Sequence, residues 1–238
     1  MRLPILMYHR IGRRAQAARR PKMYVLPEQF EAQLEALKAW GYESIGFDDW
    51  LAYRAGSGSL PRRPIILTFD DGYASLFEVA FPLLRSNGFR ATVFLVSDLI
   101  GRTNAWDKDE PQEPLLDAKH IAQMQPAGIS FESHTRTHAP LTTIPIEQAR
   151  DELTQSKAAL ERLLGTRVRV LCYPYGKENE TVRALARDSG YEAAVIARRW
   201  MNSERTDPFR LVRIAVDDRT TVASLRWTLF RSRWLHWS

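Results

Sequence analysis

Apolar residues along this chain fall into two periods. Short unbroken runs, such as Ile5-Leu6-Met7, Ile65-Ile66-Leu67 and Val93-Phe94-Leu95, read as strands buried on both faces. Elsewhere the spacing is helical: after Pro27 come Phe30, Leu34 and Leu37, and Gly41 ends the pattern. The pattern predicts strands over 5–9, 65–70, 91–96, 129–133, 168–173, 192–197 and 211–216. It predicts helices over 27–40, 48–54, 73–86, 146–164 and 179–189, with Asn87-Gly88 and Gly165 as stops. Residues 10–22 are basic and irregular and read as a mobile loop. Gly56-Ser57-Gly58-Ser59 reads as a flexible one. Residues 97–114 form a long polar loop, a kind that often carries function. Strands alternating with helices argue a parallel α/β fold. The pattern alone admits either a barrel or an open doubly wound sheet.

Composition narrows this. With 238 residues, 45% hydrophobic and 26% charged, the chain suits one domain with a sizeable core. No repeat or long linker divides it. We assign 1–220 to the domain and 221–238 to an arginine- and tryptophan-rich tail. Cys172 is the only cysteine, so no internal disulfide can form, which fits a reducing compartment. The first apolar run meets Arg10, Arg13 and Arg14 too soon for a signal peptide, and no stretch approaches the roughly 20 apolar residues of a membrane span. These points set the expectation of a cytoplasmic protein, peripheral at the inner membrane. The net charge of +6 is carried by arginine at 10–20, 62–63, 198–199 and from Arg226 onward. Such a surface favours acidic partners, but no recognition motif accompanies it, so nucleic acid is not expected.

Three motifs carry chemistry. Thr68-Phe69-Asp70-Asp71-Gly72 closes a strand, His134-Thr135-Arg136-Thr137-His138 follows another, and Tyr173-Pro174-Tyr175-Gly176 a third. Histidines four apart share a face on a helical turn and can grip one ion. An aspartate supplies a third ligand and leaves a position open for water. Adjacent aspartates at an extended strand end point to different sides, so the second is free to act as a base. Each motif has a plainer reading: Asp-Asp-Gly and Pro-Tyr-Gly are also good turn chemistry.

Together the motifs resemble the polysaccharide deacetylases, the NodB-homology domains of carbohydrate esterase family 4. The likeness runs from about Pro4 to about Val216. The opening Ile5-Leu6-Met7-Tyr8-His9 resembles the permuted branch that includes deacetylases of poly-N-acetylglucosamine. The resemblance implies a distorted (β/α)7 barrel of the NodB type, with chemistry at the C-terminal strand ends. It assigns Asp71, His134 and His138 to a divalent metal, Zn2+ by default, with Co2+, Ni2+ or Fe2+ also compatible. It makes Asp70 the general base. It places Tyr173, Pro174 and Tyr175 at the substrate and oxyanion, through the Tyr175 backbone N–H. Many relatives brace the base with an arginine two residues before the proline; Cys172 stands there in this chain, and Arg213 is the candidate replacement. Many also protonate the leaving amine from a late Leu-x-His motif. His236 lacks that motif, whereas His9 matches the permuted branch. His120 reads as a helix-surface residue.

The function expected is metal-dependent N-deacetylation of an N-acetylated sugar in a polysaccharide or glycolipid. The rivals are an inactive glycan-binding module on the same fold and an amidohydrolase of a formamido sugar or small non-sugar amide. In the tail, Val222, Leu225, Leu229, Phe230, Trp234, Leu235 and Trp237 mix with Arg226, Arg231 and Arg233. That mixture suits peripheral contact with an anionic membrane or a last helix packed on its own barrel.

Overall fold

The computed structural model describes residues 2–15, 17–198 and 201–234. Arg199 and the tail residues Leu235, His236 and Trp237 lie outside the described residues. Eight parallel strands form the continuous path of the main sheet: β1 (Ile5–Tyr8), β2 (Pro64–Phe69), β3 (Ala91–Leu95), β4 (Ile129–Ser133), β5 (Val170–Cys172), β6 (Ala193–Ile196), β7 (Leu211–Val212) and β8 (Ile214–Ala215), and a short ninth, Glu43–Ser44, pairs with the start of β2. The order of the eight is β7-β6-β5-β4-β3-β2-β1-β8. The two edges are consecutive in the chain, parted only by Arg213. Leu211–Val212 pairs with β6, and Ile214–Ala215 pairs with β1. One extended segment therefore reaches both edges and nearly closes a barrel. Counted as a single broken strand, it makes the barrel seven-stranded, as expected.

The helices α1 (Pro27–Ala39), α2 (Phe47–Arg54), α3 (Phe81–Asn87), α4 (Ala118–Met124), α5 (Ile146–Leu164), α6 (Glu180–Asp188) and α7 (Val222–Trp234) complete the chain. Side chains alternate between the faces of a strand, and the core divides accordingly. Leu6, Tyr8, Leu67, Phe69, Val93 and Leu95 join the cluster under the helices. Ile5, Ile66, Phe94, Val170, Cys172, Val195 and Leu211 belong to a second cluster inside the barrel, with Phe47 and Trp50 of α2. The interior positions continue upward by twos to His9, Asp70, His134 and Arg213. The barrel is thus apolar toward α2 and polar at its C-terminal rim.

Three expectations change, and one left open is narrowed. The helix predicted over 73–86 begins as a π-helical turn, Leu76–Ala80, and becomes regular only at Phe81. Pro82 has no N–H to give the preceding turn, which breaks the α-helical ladder there. The strand predicted over 168–173 shrinks to Val170–Cys172. The amides of Arg169 and Val170 donate instead to the buried Glu132 carboxylate, at 2.8 and 2.7 Å, so a side chain takes over part of the ladder. The basic segment 10–22 begins as a short strand, Arg10–Ile11, paired with Tyr24–Val25, and Arg10 is buried. The tail is helical to Trp234 and joins the fold. Leu225 and Leu229 belong to the main core, and the Gln29 and Gln33 side chains of α1 donate to the carbonyls of Asp218 and Thr220. Trp227 and Phe230 stay exposed, at 59% and 56%. Among the described residues no helix is long and apolar enough to cross a membrane.

The helical tail should therefore register in stability. Leu225→Ala is expected to cost about 2–4 kcal/mol through the cavity it leaves, and Trp227→Ala no more than about 0.5 kcal/mol, measured by urea unfolding. Equal effects would place the tail outside the cooperative unit.

Candidate active site

Strand alternation delivers Thr68 and Asp70 from β2 into the barrel, where they meet Arg213. The guanidinium donates from Nη1 to Asp70 Oδ1 at 2.6 Å and from Nη2 to Oδ2 at 2.8 Å. Nη1 also reaches Thr68 Oγ1 at 3.1 Å, and Nη2 reaches Cys172 Sγ at 3.1 Å. Asp70 is 4% exposed and Arg213 is 1% exposed. Burial would raise the Asp70 pKa, but the paired guanidinium outweighs it and holds the carboxyl below its usual range. The structure thus puts Arg213 beside Asp70, in the space next to Cys172. His9 Nε2 lies 3.9 Å from Asp70 Oδ2, and its side chain is partly open to solvent. Burial pulls the His9 pKa down, against the raising effect of Asp70 and Asp71.

Asp71 faces the other way, though not along an extended strand as expected. The chain turns into the left-handed region at Asp71 (φ 70) and Gly72 (φ 72). Glycine suits the second position, where a Cβ would be strained by the left-handed backbone and would meet Leu95 Cδ2 at 2.7 Å, forcing that side chain to shift. The turn aims Asp71 Oδ1 at the Nε2 atoms of His134, 3.4 Å away, and His138, 3.5 Å away. His134 Nδ1 lies 2.8 Å from the Cys172 carbonyl. A carbonyl can only accept, so Nδ1 carries a proton. Burial would lower the His134 pKa, but Cys172 and Asp71 outweigh it and raise the value, and an ion at Nε2 would take the place of the second proton. His138 is pushed down to about 3 by burial and by neighbouring His134, so it is a neutral lone-pair donor.

The histidine pair does not ride a helical turn. Thr135 (φ 68) and His138 (φ 66) are both left-handed, and side-chain acceptors take the amides that a helix would have used. The i, i+4 spacing converges because the loop folds back, with the two rings 4.7 Å apart and nearly perpendicular.

The donor set fits a divalent metal. Asp71, His134 and His138 are all buried, and their ligand atoms lie within 4.8 Å of one another. Asp70, His134 and Cys172 meet the same spacing, but the Arg213 guanidinium already binds both Asp70 and Cys172 and would repel a cation there.

Aromatic rings frame this centre. Trp106 stacks on His138 at 4.6 Å, and Tyr175 stands edge-on to it at 4.7 Å. Tyr175 is left-handed (φ 60) and 48% exposed, and Pro174 before it is buried. The Tyr173 side chain does not reach the site. Its ring is fully buried and its hydroxyl donates to the Phe209 carbonyl at 3.3 Å. His120 accepts the Asp117 amide at the start of α4 and stacks on Phe77, away from these groups.

Sequence reasoning missed Trp106, whose signal was an aromatic residue inside a long polar loop. It also misread the basic segment at 10–20. Arg10 donates to the Tyr73 hydroxyl at 2.6 Å, and Arg20 to Asp107 at 2.9 Å. These arginines hold the Trp106 loop and are not a free basic surface.

Two histidines, two aspartates and an arginine converging at the strand ends of a parallel barrel define an α/β barrel with a candidate metal centre. A family profile described as polysaccharide deacetylase matches residues 57–194, and the chain belongs to that family. It is 28% identical over 215 residues to YxkH of Bacillus subtilis, named for the same family, covering 90% of this chain and 71% of that one. It is 26% identical over 203 residues to the poly-beta-1,6-N-acetyl-D-glucosamine N-deacetylase of Staphylococcus epidermidis, covering 82% of this chain and 68% of the relative. Among solved structures, a polysaccharide deacetylase from Bacillus cereus superposes with a TM-score of 0.82 at 26% identity, over 96% of this chain and 69% of that one. The Streptococcus pyogenes deacetylase PplD in complex with acetate shares the fold, with a TM-score of 0.84 at 24% identity, over 96% of this chain and 98% of that one.

The Arg213–Asp70 pair yields a pH-dependent prediction. Arg213→Met strands a buried carboxylate and should cost about 3–5 kcal/mol near neutral pH. Asp70 is depressed in the parent, so its contribution is present above the unfolded value of about 4 and is lost as pH falls through the folded value. In the variant, unpaired burial raises Asp70 instead. The stability gap between the two proteins should therefore narrow on acidification, as the variant's Asp70 protonates. A gap that does not change with pH in denaturant titrations would refute the pairing.

Proposed function

We propose that the protein hydrolyses the acetamide of an N-acetylated sugar in a polysaccharide or glycolipid, releasing acetate and leaving a free amine on the sugar. The observation that carries this reading is the convergence of Asp71, His134 and His138 beside an Asp70 held ionised by Arg213. The names of the relatives support the same substrate class. Asp71, His134 and His138 would hold one divalent ion, Zn2+ being the default for such ligands. An ion bound there polarises a carbonyl and lowers the pKa of water toward about 7.

The chain's own residues do the rest. Asp70 takes a proton from the attacking water as the new C–O bond forms. The Tyr175 amide, presented by its left-handed turn, donates to the developing oxyanion. His9, 3.9 Å from Asp70 Oδ2 on its open side, takes the water proton over from Asp70 and passes it to the departing nitrogen as the C–N bond breaks. Trp106 and Tyr175 flank His138 and wall the approach for a sugar ring. An inactive glycan-binding module is disfavoured because no group of this set is missing. A formamido sugar or small amide would use the same groups, and a substrate panel separates them.

A second reading concerns the exposed Trp227 and Phe230, which lie between Arg226 and Arg231 on α7. Arginine beside exposed aromatics suits peripheral contact with an anionic membrane. Cosedimentation with anionic vesicles should then weaken as salt rises and drop for Trp227→Ala/Phe230→Ala. Negligible binding by the parent at low salt would remove this reading and leave a soluble glycan as substrate.

The catalytic assignment is tested by separating metal from turnover. Asp70→Asn should keep the parent's metal stoichiometry while acetate release from N-acetylglucosamine oligomers falls by about 10²–10⁴. His134→Ala and His138→Ala should lose the metal itself, by elemental analysis. His9→Ala should lower kcat with metal affinity and folding unchanged. Parent-like turnover by Asp70→Asn would sink the scheme.

A further inference from the structure

The metal loop is held by a residue outside all three motifs. Glu152 lies on α5 and is 2% exposed. Its Oε2 accepts the backbone amides of Arg136 at 2.9 Å and Thr137 at 2.8 Å, and its Oε1 accepts the Thr137 hydroxyl at 2.6 Å. These three donors lie between the two histidines. They come from a loop whose conformation is intrinsically unfavourable, because Thr135 is β-branched and left-handed and His138 is left-handed as well. In a helical turn the amides of 136 and 137 would find partners within the chain. Here they point at the carboxylate, which satisfies both at once and so makes the folded-back loop the lowest state available to it.

The neighbouring contacts show that this is a built arrangement. Ser156, one turn further along α5, binds Ser133 Oγ at 3.0 Å, and Ser133 Oγ accepts the Thr135 amide at 3.2 Å. Thr135 Oγ1 in turn accepts the His138 amide at 3.1 Å. The loop's backbone is therefore pinned from α5 at Ser133, Arg136 and Thr137, and from within at His138. Among the described residues no hydrogen bond joins Glu152 to an imidazole, so it acts on the histidines through the loop between them.

We propose that Glu152 is a positioning residue for the metal centre: its carboxylate fixes the loop so that the His138 and His134 nitrogens already converge on Asp71 before a metal arrives. This rests on the metal-centre reading under the proposed function. A centre preorganised in this way binds its ion without first ordering the loop. Without Glu152 the ordering cost would be charged against metal affinity.

The test compares three full-length variants, each measured for Zn2+ affinity by competition with a chromophoric chelator, for thermal midpoint, and for hydrogen exchange at the Arg136 and Thr137 amides. Glu152→Gln keeps an oxygen for the two amides and an amide nitrogen that the Thr137 hydroxyl can accept, so its affinity should stay within about threefold of the parent. Glu152→Ala should weaken Zn2+ binding by about tenfold to a hundredfold, exchange both amides faster, and regain activity when Zn2+ is raised to saturation. Glu152→Asp withdraws the carboxylate by one methylene and should behave like Glu152→Ala, which keeps the test decisive if the alanine variant fails to fold. Parent-like Zn2+ affinity in folded Glu152→Ala or Glu152→Asp overturns the inference while leaving the proposed function standing. A lower thermal midpoint with unchanged affinity means that Glu152 merely stabilises the fold, and overturns it too. A parent protein that binds no Zn2+ through Asp71, His134 and His138 overturns the proposed function and the inference with it.

Discussion

The bidentate pair between Arg213 and Asp70 governs the site and the seam of the barrel together. Two charges deep in a protein are costly unless their geometry is good and their remaining donors are met. Here both Asp70 oxygens are bonded, and the guanidinium also reaches Thr68 and Cys172. The partners are 143 residues apart in the chain. Arg213 is also the residue that parts β7 from β8, so it stands where the last segment crosses from one sheet edge to the other. The buried carboxylate therefore finds its countercharge only in a barrel that has closed. That ties the chemistry of Asp70 to the global fold rather than to a local loop.

The candidate metal half of the site rests on a different constraint, local backbone strain. Among the described residues, the non-glycine positions with positive φ are Asp71, Thr135, His138 and Tyr175. All four sit at the candidate site. Left-handed conformations of such residues persist only where the surroundings over-determine them. Gly72 packs against Leu95, Thr135 is tied through Ser133, and Tyr175 follows a buried Pro174. In each case a regular element ends abruptly, and the sharp turn aims a side chain or an amide back across the barrel mouth. A helix or strand continued one residue further would point the same groups elsewhere.

Much of this was legible before any coordinates. Apolar runs and helical spacing located the strands and helices because burial on one or both faces leaves a period that needs no tertiary knowledge. Counting by twos along the strands would even have put Ile66, Thr68 and Asp70 on one face, and Leu211 with Arg213 on another. What stayed hidden depended on contacts between distant segments. Glu132 can replace a strand partner because β4 and β5 pair only at Ser133 and Leu171. Arg10 reads as surface charge until Tyr73 and Glu113 enclose it. The left-handed turns leave no periodic trace, so two histidines four apart looked helical. Trp106 gave no pattern, because its role lies in the His138 ring beneath it.

Cys172 shows how one electrostatic demand can be met from two places. Many deacetylases of the family carry an arginine there, two residues before Pro174, to brace the base, whereas the permuted branch that this chain resembles usually has a small residue. The thiol is small, and the space beside it is filled by an Arg213 nitrogen 3.1 Å from the sulfur. An arginine at both positions would press two guanidinium groups onto one buried carboxylate, leaving one of them without a countercharge in a low-dielectric interior. An arginine at neither would leave Asp70 buried and uncompensated, and its carboxyl would then hold a proton, which the proposed role as base does not allow. The site thus requires one guanidinium, and either interior strand position can supply it. In this chain the closing segment does so, and the strand that leads to Tyr173-Pro174-Tyr175-Gly176 is left free to carry a side chain chosen for its size.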